Sequence, residues 1–214
     1  MSRHAGTRPA NFAILLVGTG LLVVGLSGHA QPWSPPPVPP PSAAIPVAVA
    51  QQQSHRVVPT LSRSNPVEVD IPAIGVRAQV IALGLDAEGG VAVPSLSTPF
   101  LVSWFDRGPA PGQAGAAVLL GHVDAAGVGP AVFYRLGDLL PGNLVYVTRR
   151  DERTAVFRVT SVGLYSENAF PVSRVYEYTR YPTLRLITCG GQFDWDTHLY
   201  LDRTIVFATY IGSR

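Results

Sequence analysis

Leu144-Val145-Tyr146-Val147-Thr148-Arg149-Arg150-Asp151-Glu152-Arg153-Thr154-Ala155-Val156-Phe157-Arg158-Val159 decides the fold class. Two runs rich in β-branched and aromatic residues flank a charged turn, which is the pattern of a β-hairpin. The same texture recurs on either side. Residues 67–71 alternate apolar and polar with period two, and 77–83, 90–93, 116–123, 184–189 and 204–210 are further apolar runs broken by Gly, Pro and Asp. No long stretch carries a 3.6-residue period; short helical pieces are expected near 131–136 and 172–178. No repeat at a fixed period is visible. Many short, closely spaced strands predict an all-β domain, a closed barrel or a sandwich, rather than a βαβ sheet.

The 214-residue chain is long enough for one ordinary domain with appendages. Residues 1–64 contain four arginines and no acidic residue, whereas every Asp and Glu lies further on, so the basicity belongs to the tail. The folded part is slightly acidic, which argues against a nucleic-acid partner. Lysine is absent.

Phe12 to Leu26 is uncharged, with Arg3 and Arg8 before it. That pattern reads as a cytoplasmic tail (1–11) and a single membrane anchor (12–28), with the remainder outside. A cleaved signal peptide, with Gly28-His29-Ala30 as a weak site, is the competing reading and also exports the domain. Residues 29–61, with Pro35-Pro36-Pro37, Pro39-Pro40-Pro41 and Gln51-Gln52-Gln53, read as a spacer. The domain is expected over 62–214.

The chemistry centres on the single cysteine, in Leu186-Ile187-Thr188-Cys189-Gly190-Gly191. In a strand, Arg185, Ile187 and Cys189 share one face, and the two glycines would let the backbone bend after the thiol. A thiol nucleophile needs electropositive surroundings and an acid for the leaving group. Only His122 and His198 lie in the domain. His122, in Gly121-His122-Val123-Asp124, follows an apolar strand and is favoured; His198 lies in a polar loop. Asp124 is placed to orient His122, or simply forms a turn. Arg203, which opens the last strand, is the favoured oxyanion partner, with Arg185 as its rival. Against all this stands a bland alternative, in which the cysteine is a small buried hydrophobe.

These motifs, with Pro111-Gly112, Pro141-Gly142, Phe170-Pro171 and Leu184-Arg185-Leu186-Ile187-Thr188-Cys189-Gly190-Gly191, resemble the sortases, and most of all their class F actinobacterial group. The resemblance covers essentially the whole domain. It implies an eight-stranded closed β-barrel with short helices in the connecting loops. It also implies Cys189 as nucleophile on the Thr–Gly carbonyl of an LPXTG-type sorting signal, forming a thioacyl enzyme, with His122 as general acid and then base. Arg203 would hold the oxyanion or substrate backbone, although many class F members carry arginine two residues earlier, where this chain has Leu201. Thr188 and Arg185 are expected substrate contacts. The implied partners are sorting-signal proteins and an amine acceptor such as a peptidoglycan precursor or a pilin lysine. No cofactor or metal is expected.

Other cysteine enzymes fit less well. L,D-transpeptidases place the cysteine after a Ser/Thr-His-Gly pattern, and papain-like peptidases place cysteine before histidine. A tethered barrel with a decayed site, acting as a binding or scaffold protein, is the non-enzymatic alternative. Convergence of His122, Cys189 and an arginine separates it from an enzyme.

Overall fold

Alternation in 67–71 becomes strand β1 (Pro66–Ile71), and the next apolar run becomes β2 (Val76–Leu83). They are followed by β3 (Val102–Phe105), β4 (Gly115–Gly121), the two-residue pair β5 (Asp124–Ala125) and β6 (Gly129–Pro130), then β7 (Leu144–Arg149) and β8 (Thr154–Ser166). One short helix, α1 (Val172–Val175), precedes β9 (Pro182–Asp194) and β10 (Leu199–Ser213). This computed structural model describes residues 34–40 and 58–214. The expected tail 1–11 and anchor 12–28 lie outside the described residues, among which no helix is long and apolar enough to cross a membrane.

Eight strands close into a barrel in the order β1-β2-β3-β4-β9-β10-β8-β7, and β7 returns to β1. The hairpin β7–β8 forms as its sequence predicts, with Thr148 opposite Thr154. Two neighbouring pairs are parallel, β2 with β3 and β4 with β9. The expected closed all-β barrel with short helices is therefore the observed fold.

Local departures have identifiable causes. β3 lies outside the apolar runs read from the sequence, because Ser103 interrupts its apolar pattern. Ser103 is nonetheless fully buried, its hydroxyl donating to the Ala92 carbonyl at 3.1 Å. Residues 90–93 keep only a bridge between Leu85 and Val91, because a turn at Asp86–Gly90 consumes the run. The 131–136 piece is a series of turns ending in a 3₁₀ turn, Leu136–Asp138.

Period-two alternation sorts each strand's side chains between two cores. Val69, Ile71, Trp104, Leu119, Val147, Phe157, Leu184, Leu186 and Val206 fill the interior cluster. Burial of each such large side chain contributes about 1.5–3 kcal/mol. A second cluster, Val118, Ile187, Ile205 and Phe207, sits on the other face of β4, β9 and β10, and Val175 of α1 covers it. The loop carrying α1 is thus fastened to β9 and β10, the strands that hold Cys189 and Arg203.

Arg149, at the end of β7, is only 1% exposed. Its guanidinium donates to the Pro111 and Ser62 carbonyls, each at 2.5 Å, and pairs with Asp151 at 2.9 Å. A residue that reads as part of a charged surface turn is in fact a buried staple joining three segments.

Candidate active site

β9 brings the thiol to the end of the barrel. Leu184 and Leu186 point to the interior cluster and Ile187 to the outer one, so Cys189 takes the outer face with Ile187. In the antiparallel pair β9–β10, Cys189 lies directly opposite Arg203, a Cα separation of about 5 Å for such partners. On the other side of β9, parallel β4 places Leu120 opposite Ile187. Two residues further on are His122, just past the end of β4, and Cys189 in β9. Three adjacent strands therefore deliver His122, Cys189 and Arg203 to one rim. None of the three is close to the others in sequence.

Each side chain has a defined setting. His122 is half-buried, and its Nε2–H donates to the Pro94 carbonyl at 2.6 Å. Its own carbonyl accepts from Phe133 N–H at 2.9 Å, and Val123 accepts from Ala131 N–H at 2.9 Å, which ties the histidine strand to the 131–138 segment. Gly121 makes this approach feasible, since a Cβ there would lie 2.7 Å from Val132 Cγ1 and 2.8 Å from Phe133 Cδ2.

Arg203 donates to the Tyr200 and Asp202 carbonyls at 3.2 Å and pairs with Glu167 at 3.2 Å. Burial pushes the Cys189 thiol above its ordinary pKa; Arg203 pulls it down, whereas Asp124 and Glu167 push it up. Burial thus disfavours the thiolate at the half-buried sulfur, and the arginine facing it is engaged by a carboxylate.

The remaining residues singled out from sequence fall as follows. Asp124 accepts from the Tyr200 hydroxyl, linking the histidine strand to β10. Thr188 is buried on the interior face across from Thr204, and its hydroxyl oxygen has no hydrogen-bond partner. Arg185 shares the outer face with Cys189 but lies deeper, over the Phe207 ring at 4.8 Å. It donates to the Arg174 carbonyl at 3.1 Å and sits 3.8 Å from Glu177, while burial lowers its pKa to about 10. His198 occupies the β9–β10 turn with φ of 57°. Leu201 falls in a bulge of β10, between Tyr200 and Asp202. The room around Gly190 and Gly191 is taken by the chain itself. A Cβ on Gly190 would meet Thr204 Oγ1, and one on Gly191, where φ is 73°, would overlap the Asp202 carboxylate.

Sequence reasoning did not reach Pro94, Glu167 or Tyr200. A backbone carbonyl leaves no mark in a sequence, and Glu167 belongs to no motif.

The model of the Sortase domain matches residues 69–211. The chain belongs to the sortase family. Members of this family are cysteine transpeptidases, in accord with a thiol, an imidazole and a guanidinium on one rim. Comparison with curated protein sequences returns no match. Among solved structures, sortase A of Listeria monocytogenes is 16% identical, covering 70% of this chain and 89% of that one, with a TM-score of 0.52. Sortase C-1 of Streptococcus pneumoniae is 19% identical over 71% and 69% of the two chains, with a TM-score of 0.53. A sortase D5 transpeptidase of Clostridium perfringens is 18% identical over 77% and 89%, with a TM-score of 0.51. At such identities these neighbours speak for the sortase barrel alone, across several classes.

Proposed function

We propose that this sortase is a class F-type, membrane-anchored transpeptidase that cleaves an LPXTG-type signal between Thr and Gly. One observation carries the reading: Cys189 faces Arg203 across β9–β10, and His122 directly follows the parallel strand β4 on the other side. His122 takes the Cys189 thiol proton as the sulfur attacks the Thr carbonyl carbon, and the tetrahedral oxyanion is held by the Arg203 guanidinium. His122 gives a proton to the departing glycine amine as the C–N bond breaks, leaving a thioester. An incoming amine then attacks that thioester, His122 takes its proton, and the thiol is released. Anchoring through 12–28 would keep the domain outside the cell, where a wall precursor or a pilin lysine could supply the amine.

The resting contacts define what substrate must do. Glu167 has to leave Arg203 before the guanidinium can serve an oxyanion, and the 167–181 loop carries Glu167. Exposed apolar residues of that loop (Val172, Tyr176, Tyr178) and of the loop before β3 (Leu96, Phe100) offer surface for the apolar part of a sorting signal. Thr188 and Arg185 would act here through the strand and the loop they hold.

Intact-protein mass spectrometry with an LPXTG-type peptide, beside Cys189→Ala, tests the proposal. An adduct with the mass of the acyl fragment on the wild type alone is the expected result. Neither adduct nor cleavage across a peptide panel would leave the non-enzymatic barrel as the better reading.

A further inference from the structure

The proline-rich segment 34–40 lies against the catalytic domain, and its contacts repeat with a definite period. Pro36 and Pro39 are buried, whereas Ser34, Pro35, Val38 and Pro40 are exposed. A three-residue spacing places side chains on one edge of a polyproline helix, which has three residues per turn. Pro36-Pro37-Val38-Pro39 is thus a P-x-x-P unit with its two prolines facing the protein.

The surface beneath is suited to such a ligand. Prolines donate no backbone hydrogen bond, so a polyproline segment offers only carbonyls for recognition. Tyr134 supplies the donor, its hydroxyl reaching the Ser34 carbonyl at 2.9 Å and that of Pro35 at 3.2 Å. Gly137 supplies the room. A Cβ there would overlap the Pro37 carbonyl oxygen and approach Pro39 Cδ at 3.4 Å, and the nearest atoms it would meet all belong to the segment. An aromatic hydroxyl over the carbonyls, with a side-chain-free floor, is the chemistry of a proline-binding groove.

We propose that the 131–138 surface is a polyproline-binding site, that residues 34–40 are its resident ligand, and that they brace the segment holding His122. Bracing follows from connectivity, because 131–133 bonds directly to the backbone of His122 and Val123. The 41–57 connector can span on the order of 50 Å, so binding within one chain is sterically accessible. The assignment does not depend on the sortase reaction.

Amide hydrogen exchange on the full chain tests it, read at Tyr134, Leu136 and Asp138, whose N–H groups bond within the segment. The double variant Pro36→Ser/Pro39→Ser should speed exchange there about tenfold, and Gly137→Ala should do the same. Their combination should add nothing further, since an alanine methyl at 137 has only the ligand to displace. A peptide spanning residues 33–40 should restore protection to Pro36→Ser/Pro39→Ser but not to Gly137→Ala. Unchanged exchange in Pro36→Ser/Pro39→Ser, or additive effects of the two changes, would overturn the proposal. Protection that grows with protein concentration would overturn the assignment within one chain in favour of a second copy.

Discussion

At the residue scale, charge placement sets the state of the thiol. Burial is the largest influence raising the Cys189 pKa, and Glu167 both adds to it and occupies Arg203. Glu167→Gln removes a negative charge, so the thiol pKa should fall and the thiolate fraction at neutral pH should rise. Alkylation by iodoacetamide at pH 7 should then be about 2- to 5-fold faster than in the wild type. An unchanged rate would mean that Glu167 does not govern the sulfur. In the wild type the midpoint of alkylation should lie above the ordinary thiol value of about 8.5. A second carboxylate, Asp151, has its pKa lowered chiefly by its hydrogen bond to Arg149. Its contribution to stability is therefore full above the unfolded value, about 3.9, and is lost as pH falls through the lower folded value. The difference in Tm between wild type and Asp151→Asn should be present at pH 6 and close as acid protonates the wild-type side chain. His122 and Cys189 were legible as residue types before any geometry. Their partners were not, because Pro94 acts through a carbonyl and Glu167 through a loop whose path no periodicity encodes.

At the element scale, the site depends on how tightly strand ends are backed. Gly121 closes β4 against Val132 and Phe133, and the next residue is His122. Gly121→Ala forces a methyl into that contact, which should cost about 1–3 kcal/mol as overpacking. Chemical denaturation should show the loss, and peptide turnover should fall further than stability alone explains, because the displaced strand carries the imidazole. Equal activity at reduced stability would argue that His122 tolerates the shift. Strand positions were largely readable from alternation, as β1, β7 and β8 show. β3 was not, because its buried Ser103 is satisfied by the Ala92 carbonyl rather than by an apolar neighbour. The extent of β8 was also hidden: it runs on past the 144–159 hairpin to Ser166, so the connecting loop begins only at Glu167. Pairing with β10 extends the strand, and that partner lies far along the chain.

At the scale of the whole molecule, closure of the barrel unites segments that have no local reason to meet. Arg149 fastens the approach to β1 and the loop before β4 to the end of β7, using Ser62 and Pro111 carbonyls. Arg149→Met would leave those carbonyls without their buried donor and Asp151 without its cation, and should cost about 3–5 kcal/mol. Urea unfolding would measure it; a loss below about 1 kcal/mol would show that water replaces the guanidinium at little cost. The segment 34–40 extends the same theme, since a stretch composed like a spacer gains two buried prolines only because the folded 131–138 surface exists. By itself the sequence determined the all-β class, the hairpin 144–159 and which residue types make up the candidate site, because alternation and motif are local properties of a chain. Only the tertiary structure decided which arginine faces the thiol, that Glu167 engages it, and that Arg149 is buried. Those outcomes follow from the register of β4, β9 and β10 and from barrel closure, where long-range pairing rather than local preference determines which side chains meet.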